Sequence, residues 1–139
     1  MKHNLILRVV TKLLIPVIVL FALYVQFHGD YGPGGGFQAG VIFSVTFILY
    51  ALIYGLDTAQ RVMPMGVLRA LASLGVLIYA GTGVAALLKG GNYLDYGVLA
   101  ASPVAGQHLG ILVIELGVGI TVSSVMLLIF FTFAGRGRA

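Results

Sequence analysis

The chain has 139 residues, 60% of them hydrophobic and only 9% charged, with a mean hydropathy of +1.07 and a net charge of +4. A soluble domain carries about 25% charged residues, so this composition excludes a water-soluble enzyme, a disordered chain and a nucleic-acid binder. Cys and Trp are both absent, which excludes a disulfide framework, a thiolate metal site and a Cys nucleophile and leaves Tyr and Phe as interface anchors.

A membrane-crossing helix needs roughly 20 apolar residues, so four of them use about 80 and leave only short loops. The apolar runs fall at 9–27, 39–55, 65–88 and 108–134. Lipid forces each spanning backbone to satisfy its own hydrogen bonds, and runs of this length do so as helices. The expected fold is an all-α integral membrane protein, one transmembrane domain over 1–139 with four helices. The first run follows Lys2, Arg8 and Lys12 in the manner of a signal peptide. It is too long for a secretory apolar region, and Phe27-His28-Gly29 offers no small-x-small cleavage site, so it reads as a retained helix. Within it, Pro16 removes the helical donor for the carbonyl of Lys12, which predicts a kink.

Basic residues set the direction of insertion. Lys2, Arg8 and Lys12 precede or open span one, Arg61 and Arg69 flank the start of span three, and Arg136 and Arg138 follow span four. Lys89 alone lies on the other side. Both termini and the 56–64 loop are therefore expected on the cytoplasmic side of the membrane, with the 28–38 and 89–107 loops outside.

The first outer loop reads His28-Gly29-Asp30-Tyr31-Gly32-Pro33-Gly34-Gly35-Gly36-Phe37-Gln38-Ala39-Gly40. Glycine and proline at this density make a compact turn with positive φ available. It is not a phosphate loop, because no Lys-Ser/Thr follows and no strand precedes. Gly32, Gly36, Gly40 and Ser44 recur every four residues. If the helix begins early, they form a small-residue stripe on which another helix packs closely. Span three carries Gly75, Gly81 and Gly83, and span four carries Gly117–Thr121 and Gly119–Ser123 at the same kind of spacing.

Pro33-Gly34-Gly35-Gly36-Phe37-Gln38 before an apolar span resembles the signature of the B subunit of Mrp-type (Mnh or Pha) multisubunit Na⁺/H⁺ antiporters. His108-Leu109-Gly110 and Glu115-Leu116-Gly117-Val118-Gly119-Ile120-Thr121-Val122 extend the resemblance over nearly the whole chain. One departure is visible: many members carry His where this chain has Asp30. The resemblance implies a small subunit, MnhB or MrpB in type, of a complex that exchanges cytoplasmic Na⁺ for H⁺. Its partners would be large subunits similar to the proton-pumping modules of respiratory complex I, further small membrane subunits, and the bilayer. It implies no cofactor.

Ionisable side chains inside the spans need an explanation, since a charge at the bilayer centre costs about 2.5–3.5 kcal/mol even on the lenient scale. Glu115 lies seven residues past His108, roughly 10 Å deep at the helical rise. It must be protonated, paired or beside water. Tyr24, Tyr79 and Thr82 are the neutral donors expected at its depth, and no basic residue of the chain is well placed. Lys12 and Arg69 enter from the cytoplasmic side and can snorkel. These three are the candidate buried functional charges; the loop motif of Gly32, Pro33, Gly34, Gly35, Gly36, Phe37 and Gly40 is the candidate packing site. His28 and His108 read as interface anchors and, without a Cys or carboxylate pattern, not as metal ligands.

The reading is a non-catalytic subunit of a monovalent cation/proton antiporter that supports assembly, with a share in the ion pathway left open. The alternative is the equivalent subunit of a membrane-bound hydrogenase or related respiratory complex. A stand-alone four-helix proton-coupled exporter would need an aromatic cage for cationic substrates, and an alternating-access transporter would show repeats with broken helices. The sequence carries neither, and it shows no relay from Glu115 to either surface.

Overall fold

In the computed structural model the described residues are 4–136; Lys2 and Arg138, used above for orientation, lie outside them. Four long helices follow the four apolar runs: α1 (Leu5–His28), α2 (Gly36–Tyr54), α4 (Met65–Leu88) and α5 (Pro103–Gly135), with a short α3 (Leu56–Val62) between α2 and α4. All four long helices have the length and composition to cross a membrane. Polar caps set the first ends. Asn4 accepts from the Leu7 amide at 3.4 Å, and Ser102 accepts from the Ala105 amide at 3.3 Å with Pro103 opening α5; both pair otherwise unsatisfied first-turn N–H groups. α1 continues as one helix through Pro16.

Two boundaries differ from expectation. The 56–64 segment is not a plain loop: Gly55, at φ +98°, closes α2 through its amide on the Ala51 carbonyl and starts α3. A side chain would be strained at that φ, and glycine removes the strain. The outer loop before the last span is also shorter than 89–107, because the Ser102 cap starts α5 at Pro103.

The helices lie in the order α1, α2, α5, α4, with α5 packed against both α2 and α4 and α1 packed on α2, reaching α5 near its own C-terminal end at Gln26. At one end, α3 tucks in so that Ala51, Leu56, Ala59, Leu68, Leu127 and Phe131 form the buried core. Tyr54 donates to the Arg8 carbonyl at 2.9 Å there, and the Arg8 guanidinium lies 5.1 Å over its ring. Elsewhere the helices meet backbone to backbone. A Cβ on Gly75 would lie 2.5 Å from the Gly117 carbonyl, and one on Gly117 would lie 2.9 Å from the Gly75 carbonyl. Membrane helices associate through such close approach, because lipid offers no hydrophobic gain between them.

At the opposite end, the 89–102 loop folds down onto α4 and α5. The Tyr93 ring occupies the space a side chain on Gly83 would need, and the Tyr96 ring does the same at Gly110. Lys89 Nζ donates to the Leu99 carbonyl at 2.8 Å, and Asp95 accepts from the Gly97 amide at 3.2 Å.

Candidate functional site

At 3.6 residues per turn, positions 108, 112 and 115 share one face of a helix. On α5 these are His108, Leu112 and Glu115, and they line a cleft of about 460 Å³ together with Gln26, Phe27, Asp30, Tyr31 and Leu109. The glycine loop builds the opposite wall. The Tyr31 and Gly32 amides both return to the His28 carbonyl at 3.0 Å, and the Gly35 amide reaches the Val25 carbonyl at 3.1 Å. Gly35 has φ +124°, a conformation an L side chain rarely adopts. A Cβ on Gly34 would stand 2.7 Å from the Val25 carbonyl. The chain therefore doubles back over the end of α1 with no room for side chains at these positions, and this reversal carries Asp30 across to α5.

There the Asp30 carboxylate, through Oδ2, meets His108 Nδ1 in a hydrogen bond at the cleft mouth, with the His108 side chain 53% exposed and Asp30 17% exposed. The Tyr31 ring stacks on His108 at 6.3 Å. The Glu115 carboxylate lies deeper, against Gly29 and Gly35; a Cβ on Gly35 would be 3.1 Å from its Oε1. It takes no hydrogen bond or ion pair from the described residues. The expected donors are elsewhere: Thr82 bonds the Ile78 carbonyl, Tyr24 stacks on His28, and Tyr79 lines the opposite face of α5. Gln26 closes the floor. It is 6% exposed, and its Nε2 has no partner.

α2 starts at Gly36, so Gly36, Gly40 and Ser44 form the expected stripe on the helix while Gly32 stays in the loop. Gly36 sits on the Glu115 carbonyl, and a Cβ on Gly40 would be 2.8 Å from the Gly119 carbonyl. The packing motif thus fixes α2 to α5 at the residue that carries the carboxylate. Pro33 and Phe37 face outward and are exposed. Lys12 and Arg69 are exposed too, at the far end of the helices, and are not brought together with Glu115. Two features of the cleft escaped sequence reasoning: the Asp30–His108 pair and Gln26. Asp30 and His108 are 78 residues apart and meet only through the fold. Gln26 carries a signal, an amide inside an apolar run, which becomes telling only because the fold buries it. Among the described residues, no three His, Cys, Asp or Glu side chains are grouped to hold a metal ion.

Four apolar helices joined by glycine contacts, with a polar cleft at one end, define a small multi-pass membrane protein. The sequence profile described as a domain related to the MnhB subunit of Na⁺/H⁺ antiporters matches residues 6–128, and the chain belongs to that family. Proteins named antiporter subunit mnhB2 in Staphylococcus aureus strains Newman, JH1 and USA300 are each 34% identical to it over 143 aligned positions. The alignment covers 100% of this chain and 100% of each relative.

Proposed function

We propose that this chain is a small membrane subunit of a multisubunit Na⁺/H⁺ antiporter, held in the bacterial plasma membrane among large complex-I-like subunits and other small ones. The observation that carries this is the family match across residues 6–128, and the end-to-end similarity to proteins named antiporter subunits supports it. The row of helices fits a subunit with neighbours. α1 buries little of its surface within the chain, leaving Leu13, Val17, Leu20, Phe21 and Tyr24 exposed. The bias of Arg8, Lys12, Arg61, Arg69 and Arg136 to one end supports the reading that both termini face the cytoplasm. Lys12 and Arg69 then sit at the cytoplasmic headgroups.

The test is gentle extraction of a tagged chain from its native membrane. It should run on a native gel in a band far larger than one 139-residue chain, with the other subunits identified in that band. Membranes lacking the chain should lose Na⁺-driven proton movement. A monodisperse lone monomer or homodimer, or full exchange without the chain, refutes the proposal.

A further inference from the structure

The cleft is graded. Its mouth holds an exposed imidazole tied to a carboxylate, its depth holds a second carboxylate, and its floor holds a buried amide with an unused donor. A buried N–H without a partner is costly, so Gln26 Nε2 is placed for an acceptor, either Glu115 or water bound between them. A cleft of about 460 Å³ has room for several waters at roughly 30 Å³ each. A cation would need converging oxygens, and the grouping that holds a metal is missing among the described residues. A proton needs only a hydrogen-bonded chain.

We propose that His108, Asp30 and Glu115 form a proton-access relay from the outer surface into the membrane, with Gln26 anchoring its inner end. This rests on the reading of the chain as an antiporter subunit. One proton from outer water binds the imidazole at Nε2 while the Nδ1–H passes to the Asp30 carboxylate. The Asp30 carboxyl then gives its proton, through cleft water, to the Glu115 carboxylate. His108 ends as the neutral Nε2–H tautomer and regains its Nδ1–H form by proton exchange with water, Asp30 ends ionised, and the net change is one proton moved from outer water, where an O–H bond breaks, to Glu115, where one forms. The titratable groups facing this path are Asp30 and Tyr31 from the loop after α1 and His108 and Glu115 from α5; α2 contributes none. His28 is turned to Tyr24, and Lys89, Tyr93, Asp95 and Tyr96 belong to the other outer loop.

The test uses the whole complex in right-side-out proteoliposomes, read in two ways. Exchange is measured as Na⁺-driven proton movement per assembled complex at several outer pH values. Infrared difference spectra follow the protonated-carboxyl band after a step in outer pH. Glu115→Gln should assemble normally, lose the band and lose at least about tenfold in exchange at every pH, by the usual worth of a positioned proton carrier. Glu115→Asp should restore part of both. His108→Gln and Asp30→Asn should keep the band but slow its appearance, with an exchange deficit that deepens as outer pH rises. A Glu115→Gln complex exchanging within about twofold of wild type overturns the relay, as does a His108→Gln profile superimposable on the wild-type profile. A band that answers Na⁺ at fixed pH and ignores pH overturns it in favour of a cation site. If the intact complex moves no protons against Na⁺, the subunit reading fails, while the infrared band still decides the relay.

Discussion

Gly36→Ala adds a single methyl group at the place where α2 and α5 touch. The new carbon would overlap the Glu115 carbonyl oxygen and lie 2.9 Å from its carbonyl carbon and 3.0 Å from the Gly119 nitrogen. All three are backbone atoms of a helix, so no side chain can rotate away. The two helices must separate, and α5 is held from its other side by α4 through Gly75 and Gly117. Forced overpacking of this kind costs about 1–3 kcal/mol, and a loss near 2 kcal/mol changes the folded ratio by roughly 30-fold. Gly81 is the internal control. It is also helical, but a Cβ there meets nothing within 4 Å, so Gly81→Ala should gain about 0.5–1 kcal/mol from backbone entropy. Thermal unfolding of the purified complex, with the amount of assembled complex on native gels, separates the two variants. Gly36→Leu should abolish assembly. Equal stability of Gly36→Ala and Gly81→Ala would refute the close-contact reasoning.

Asp30→Asn should leave the amount of assembled complex unchanged on native gels, because a half-exposed polar pair of this kind contributes about 0–1 kcal/mol; a large loss of complex would make the pair structural. A Cys in place of Asn92 should react with impermeant thiol reagents on whole cells and one in place of Arg61 should not, and the reverse pattern overturns the orientation. Burial raises the Tyr96 phenol above its ordinary 10.0, with the nearby Tyr79 adding to the shift. Its contribution to stability is therefore fully present at neutral pH and lost as pH rises through the raised value. The tyrosinate absorbance missing in Tyr96→Phe should titrate later than that of an exposed tyrosine, and titration at the ordinary value would show the ring is not held.

Each span was legible because length and apolarity report directly on the bilayer, but the caps Asn4 and Ser102, which start α1 at Leu5 and α5 at Pro103 rather than at 9 and 108, were not, because a single polar residue beside an apolar run is a weak signal. The 36, 40, 44 stripe was legible for a similar reason: helical period and small volume are both local properties. α3 was not, because a seven-residue helix after Gly55 has too few positions to show a period. The depth of Glu115 followed from counting residues, whereas its surroundings did not. They are set by a loop whose glycines constrain a path without advertising its destination, so Gly29 and Gly35 stand beside the carboxylate where Tyr24, Tyr79 or Thr82 was expected. The same holds for His108, read as an anchor without a carboxylate partner until the fold brought Asp30 to it.

α5 has 33 residues, about 50 Å at the helical rise, against a hydrocarbon core of about 30 Å. It carries His108 and Glu115 at one end and Leu127 and Phe131, seated on α3, at the other. Its glycine crossing with α4 at Gly75 and Gly117 lies between them and has the geometry of a fulcrum. From Gly117 to Arg136 is roughly 28 Å, so a rocking of ~10° about that point would sweep the far tip through about 5 Å. A stiff rod of this kind couples its two ends: a tilt that widened the cleft would shift Phe131 against Leu56 and Ala59 at the opposite end of the molecule.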